Sequence, residues 1–253
     1  MALFSDGYIS NLSDLRDQET GLLDTAHSEA VDLTTKLRLA QEEIGVEVVA
    51  FLLEHGRGVC GEESIRQLTH VAVTPALKHW HTFQTLALAY RDVYYNQYND
   101  RYAAKWKEYS RLGRSSASLL FDSGVGVVLD PVERAAAPVL NWAPGTMTAG
   151  TYYVRASWVS ATGTEGTPSE TAALVTEEST QLVVTPPAAP AKAAGWNVYA
   201  GVVAGETTLQ NDSPLAPGSS WILPVTGLRT GRKPEEGQSP DVYVTISRTF
   251  RRG

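Results

Sequence analysis

Apolar positions in the first 112 residues recur every three or four places, and from residue 118 onward they recur every second place. The first spacing predicts helices and the second predicts short strands. Leu12, Leu15, Leu22 and Leu23 give residues 11–28 a rough apolar face behind Asn11, a good cap. Leu33, Leu37, Ile44, Val48, Phe51 and Leu52 mark a clearer helix over 33–54, capped by Asp32 and ended by Gly56. A short helix fits 62–68. Thr74 followed by Pro75 is a strong helix start, because proline at the first helical position has no N–H to leave unpaired.

From Pro75 to Leu112 neither proline nor glycine interrupts the chain, and Phe83, Ala87, Tyr90, Tyr94, Tyr98, Tyr102, Trp106 and Tyr109 follow one another by three or four. Run together, these residues would form a helix of roughly 57 Å. The stretch from Asn96 to Asp100 offers a break into two helices. A helix of that full length could not hide its aromatic stripe within its own half of the chain. Part of the stripe is therefore expected on another subunit. Tyr90, Tyr94, Tyr98, Tyr102, Trp106 and Tyr109 are the candidate interface residues, since Tyr and Trp are favoured at such contacts. Internal core is the competing reading. A nucleic-acid stacking platform is disfavoured by Asp92, Asp100 and Glu108 among the rings.

The second half offers candidate strands at 125–129, 152–160, 172–176, 181–185, 197–200, 220–223 and 242–247. Glycine- and proline-rich turns separate them. That spacing suggests an immunoglobulin-like or fibronectin-type sandwich, with Trp158, Trp196 and Trp221 as its core and edge aromatics. Proline usage supports the division: of 13 prolines only Pro75 precedes residue 114. The expected organisation is α+β and multidomain. A helical domain occupies 1–117, a β-sandwich 118–240, and an extended arm 241–253. The arm alternates Val242, Val244 and Ile246 against Tyr243, then turns aromatic and basic at Arg248, Phe250, Arg251 and Arg252. It reads either as the last strand of the sandwich or as a strand added to a partner's sheet.

Charge and chemistry change little. The net charge of -7 argues against a generic grip on nucleic acid. One cysteine among 253 residues excludes an internal disulfide. No apolar run is long enough for a membrane span, and the first residues lack the basic start of a signal peptide. His79 and His81 stand about 200° apart on a helix, so they do not converge on a metal. The glycines at 56, 58 and 61 have the letters of a dinucleotide fingerprint, but they follow a helix and precede Glu62 and Glu63. Cys60 has no base or orienting group nominated beside it. No catalytic residue, metal ligand or cofactor is expected, and the chain reads as a non-enzyme.

Several stretches resemble head–tail connector (adaptor) proteins of tailed bacteriophages. They are residues 32–45 (DLTTKLRLAQEEIG), 86–98 (LALAYRDVYYNQY) and 101–109 (RYAAKWKEY). Residues 124–138 resemble the join to the appended Ig-like domain of larger members, and 195–201 and 206–210 resemble parts of that domain. The resemblance implies a structural virion protein made in the host cytoplasm. It would form a ring, a homo-dodecamer, between the portal protein and a downstream stopper or tail terminator. DNA would pass through the lumen without specific binding. The C-terminal arm (Val242, Tyr243, Val244, Ile246, Arg248, Phe250, Arg251, Arg252) would reach the portal. The Ig-like domain would face outward toward a collar or fibre. The alternative expectation is a decoration or receptor-binding protein that holds glycans through that domain.

Overall fold

The computed structural model describes residues 1–56, 67–147 and 149–246. Helices come first and strands follow. The chain divides into two compact units. One comprises Gly7–Leu129 with Pro240–Gly253, and the other Met1–Asp6 with Asp130–Ser239.

In the helical unit α1 (Leu12–Gln18) opens on a capping box. The Asn11 side chain accepts from the Ser13 and Asp14 amides, and Asp14 reaches back to the Asn11 amide. The single helix expected over 11–28 is two. Helix α1 ends at Glu19, whose backbone is extended, and α2 (Leu22–Ser28) restarts after Gly21. Helix α3 (Leu33–His55) is capped by Asp32 on the Thr34 amide at 2.9 Å. Helix α4 (Pro75–Gln97) starts as expected, with Thr74 accepting from Leu77 and proline in its first turn. Residues 57–66, which include Cys60, the glycine-rich loop and most of the expected short helix, lie outside the described residues. A 3-10 turn follows at Leu68–His70.

The aromatic run is broken. Tyr98 takes a left-handed conformation (φ 49°) and ends α4, Asn99 caps the Arg101 amide, and α5 (Asp100–Ser123) turns back along α4. No 57 Å helix forms. Leu15, Leu22, Leu37, Leu86, Tyr90 and Tyr109 build the shared core of these helices.

Helix α5 continues through Gly124, whose φ of +107° a side chain would strain, into β1 (Val125–Val127). Strand β1 pairs antiparallel with β9 (Val242–Val244), with Val127 opposite Val242 and Val125 opposite Val244. Two expectations are corrected here. Alternation predicts residues 125–129 and 242–247 in or beyond the sandwich, but β1 and β9 form their own two-stranded sheet in the helical unit. Val125, Val127 and Val244 are all buried, which fixes both strands there. The domain boundary expected at 117/118 falls inside α5, because Ser115 and Ser118 face solvent and, with the half-buried Ser116, do not interrupt it. The chain leaves the helical unit after Leu129 and re-enters at Pro240, so the β unit is inserted into it.

The β unit has two sheets. One orders β2 (Val139–Met147), β5 (Thr180–Thr185) and β8 (Trp221–Ile222). The other orders β4 (Ala172–Thr176), β3 (Gly150–Ser160), β6 (Ala193–Gly201) and β7 (Thr208–Leu209). Leu182, Val184 and Trp221 from the first share one core with Val154, Trp158 and Trp196 from the second. Trp158 lies opposite Trp196 across β3 and β6. Strand β2 was missed in the sequence because Pro144 interrupts it. As an edge strand it tolerates the proline, with a register shift between Pro144 and Met147. The N-terminal residues are tied in through Asp6, whose carboxylate accepts from the Arg134 amide at 2.9 Å and the Thr167 hydroxyl at 2.7 Å.

Candidate functional site

The aromatic stripe closes on itself. Tyr90 stacks on Tyr109 with ring centroids 5.7 Å apart and on Tyr102 at 6.2 Å, and Tyr94 stacks on Trp106 at 6.0 Å. The spacing predicts one continuous side, but a turn at its midpoint makes α4 and α5 each other's partner. Tyr90 and Tyr109 are 2% and 8% exposed. They are core residues, and the expectation that they meet another subunit is corrected. Tyr94, Tyr102 and Trp106 are half-buried, while Tyr98 at the hairpin end is 74% exposed.

A polar anchor completes this core. The Glu19 carboxylate accepts from Tyr109 Oη at 2.9 Å and from Lys105, whose ammonium lies 5.2 Å from the Tyr90 ring centre. Burial raises the Glu19 carboxyl, but those two hydrogen bonds outweigh it and hold the group below the ordinary range. Burial and the Glu19 contact together push the Tyr109 hydroxyl up, so it stays a donor. No local pattern marks this cluster, because its members come from three separate parts of the chain.

His81 is fully buried between Ser10 and α3. Its Nδ1 lies 2.6 Å from Ser10 Oγ and its Nε2 lies 3.0 Å from the Leu37 carbonyl. A proton on Nε2 satisfies both contacts, with the ring donating to Leu37 and accepting from Ser10. Desolvation by burial pushes its pKa down to about 4. A serine beside a histidine is the outline of a nucleophile and its base, but Ser10 is also buried and the far nitrogen is spent on a backbone carbonyl. His79 lies 6.2 Å from the Phe83 ring. Among the described residues no group of three or more His, Cys, Asp or Glu is placed to hold a metal ion.

One concave site of about 330 Å³ lies in the helical unit between the start of α3 and the end of α4. Asp32, Thr35, Lys36, Asp92, Tyr95 and Asn96 are among its lining residues. Lys36 and Asp92 pair with each other there, and Asp32 accepts from the Thr34 amide and the Thr35 hydroxyl, so its charged groups are already engaged within the chain.

In the β unit Glu165 gathers three donors: Ser157, Arg232 and Tyr199, the last at 2.6 Å. Burial raises its carboxyl, and these hydrogen bonds, led by Arg232, more than offset that and hold it below the ordinary range. Arg232 also lies over the Tyr199 ring, 5.6 Å from its centre. The cluster ties the segment after β8 to β3 and β6.

No protein-family model matches this chain, and no curated protein does.

The candidate arm begins within the helical unit's own sheet. Val242, Tyr243 and Val244 lie in β9, paired within the chain, and Val244 is buried. Tyr243 and Ile246 are exposed. Arg248, Phe250, Arg251 and Arg252 lie outside the described residues. No helix of the described residues is long and apolar enough to cross a membrane.

Proposed function

We propose that this chain is a head–tail connector of a tailed phage, a structural protein that forms a ring below the portal. The ring extends the DNA channel toward a stopper or tail terminator. The observation that carries the reading is the return of the chain to the helical unit at β9, which makes the basic segment 248–252 an extension of that unit. A ring subunit that reaches a portal with its C-terminus needs that connection. The resemblance of residues 32–45, 86–98 and 101–109 to such adaptors supports the same assignment. The ring is a homo-dodecamer in the virion neck, its lumen passes DNA without specific binding, and no reaction is assigned to it.

The inserted β unit is assigned as Ig-like, of the fibronectin type. Strands β3 and β6 are neighbours in the sheet but are joined in sequence through β4 and β5, the crossing that Greek-key sandwiches use. It decorates the neck and meets a collar or fibre.

Negative-stain imaging of portal mixed with this protein tests the proposal. An added ring on the portal is expected, and an unchanged portal overturns it. Because Val244 is buried in the helical unit, a truncation must spare β9. Removal of residues 247–253 is expected to abolish portal docking while leaving the helical signal intact. A shortened chain that still docks rejects the arm.

A second reading rests on Trp142, 61% exposed on the edge strand β2. An exposed indole suits stacking on a sugar ring, as a glycan-binding decoration protein requires. Binding of the full chain to host surface polysaccharide, lost in Trp142→Ala, would favour this reading over the connector.

A further inference from the structure

With the aromatic stripe folded into the hairpin core, a ring subunit needs other surfaces to meet its neighbours, and two helices supply them. The second half of α3, from Ile44 to Leu53, is apolar nearly all round, with Glu47 its only charged residue. A helix of that kind is ordinarily covered on all sides. Here one side is bare: Val46 is 73% exposed, Leu53 is 50% exposed, and Ala50 between them is exposed. Positions 46, 50 and 53 follow by four and three, so they form one stripe. Glu43 and Glu47, one turn apart, run beside it. Glu43 accepts from Gln84 at 2.6 Å, whereas Glu47 has no cation beside it among the described residues. Desolvation, with Glu43 adding to it, raises the Glu47 carboxyl.

Helix α5 presents the complementary surface. Lys107, Arg111 and Arg114 are exposed and also follow by four and three, and Leu119, five residues after Arg114 and so on an adjoining side of the helix, is 60% exposed. Among the described residues Lys107 and Arg111 have no ion pair, and Arg114 bonds only the Ser110 carbonyl. The step from Glu43 to Glu47 equals that from Lys107 to Arg111, about 6 Å along a helix. Both helices pack on α4 and present these stripes on their solvent sides.

We propose that the α3 stripe of one copy docks on the α5 stripe of the next, with Val46, Ala50 and Leu53 as its apolar centre. Glu43 and Glu47 then face Lys107 and Arg111. Two different surfaces of one chain meet in this contact, the head-to-tail type that gives a ring when its rotation closes. It names the partner of the ring surface and rests on the connector reading.

Sedimentation of the full-length chain tests it, with Glu47→Lys, Arg111→Glu and Leu53→Asp made separately. All three positions are exposed, so the helical circular dichroism should be unchanged. The wild type is expected to self-associate, and each variant to associate at least about tenfold more weakly. The decisive readout is the mixture of Glu47→Lys with Arg111→Glu. In a head-to-tail contact every junction of an alternating mixture pairs opposite charges, so association returns to the wild-type level. If the wild type assembles and the variants assemble equally well, the contact lies elsewhere and this inference falls while the ring reading stands. A wild type that stays monomeric at about 0.5 mM overturns the contact too. The ring reading is then judged separately, by imaging on the portal.

Discussion

His81 ties acid sensitivity to a single buried ring. Its folded pKa of about 4 lies below the unfolded value of 6.5, so the unfolded chain binds the extra proton first. Its stabilising contribution is complete above pH 6.5 and is lost as pH falls toward 4, on the order of 3 kcal/mol over the window. Urea unfolding should show a midpoint that falls with pH across that range, more steeply in the wild type than in His81→Gln. Equal slopes would mean that the ring is not desolvated. Glu165 offers a second test. Glu165→Ala leaves the buried Ser157 hydroxyl and Tyr199 Oη without their acceptor and leaves Arg232 with Glu235, at 3.4 Å, as its ion-pair partner. A loss of about 3 kcal/mol is expected by chemical denaturation. A loss under about 1 kcal/mol would mean that water replaces the carboxylate. Neither residue could be singled out in the sequence, since each matters through partners that are distant along the chain.

The α4–α5 hairpin depends on one strained residue. Tyr98 holds a left-handed backbone that costs a side chain roughly 1 kcal/mol. Tyr98→Gly should therefore raise the melting temperature by about 2–4 °C. A fall would mean that the edge contact of Tyr98 with Tyr94, at 6.0 Å between centroids, outweighs the strain. The helical elements were largely legible because their caps are local: Asn11, Asp32 and Thr74 each work through amides two or three residues away. The hairpin was legible only as an option, since nothing between Asn96 and Asp100 is a helix breaker by composition. The stripe looked like a surface awaiting a neighbour because periodicity reports which side of a helix is apolar but not what covers it. In the β unit, alternation located β3, β4 and β5. It failed for β2, where Pro144 masks the pattern, and for β7, where two residues have no pattern to show.

At the scale of the molecule, order along the chain hid the arrangement. Sequence segments suggested three parts in series, whereas the β unit is inserted between β1 and β9. No local signal announces an insertion, because its evidence is a pairing between positions more than a hundred residues apart. The two ends of the insert enter on neighbouring strands, with Asp241 donating its amide to the Val127 carbonyl and accepting the Leu129 amide on its carboxylate. A chain lacking 1–6, and with a short turn in place of 130–239, should keep its helical signal and melt cooperatively. A chain truncated at 239 should melt lower, because Val125 and Val127 lose their partner strand. If the excised form is unfolded, the two units are not separable.

The same threading sets a timetable for synthesis. Residues 1–6 leave the ribosome ahead of the whole helical unit, yet the Arg134 and Thr167 that hold Asp6 are translated more than a hundred residues later. Strand β1 likewise waits for β9. At ordinary elongation rates each wait lasts on the order of ten seconds. The β unit has all its residues once 239 is made, whereas the helical unit must wait for β9, so the unit that is mostly translated first is completed last.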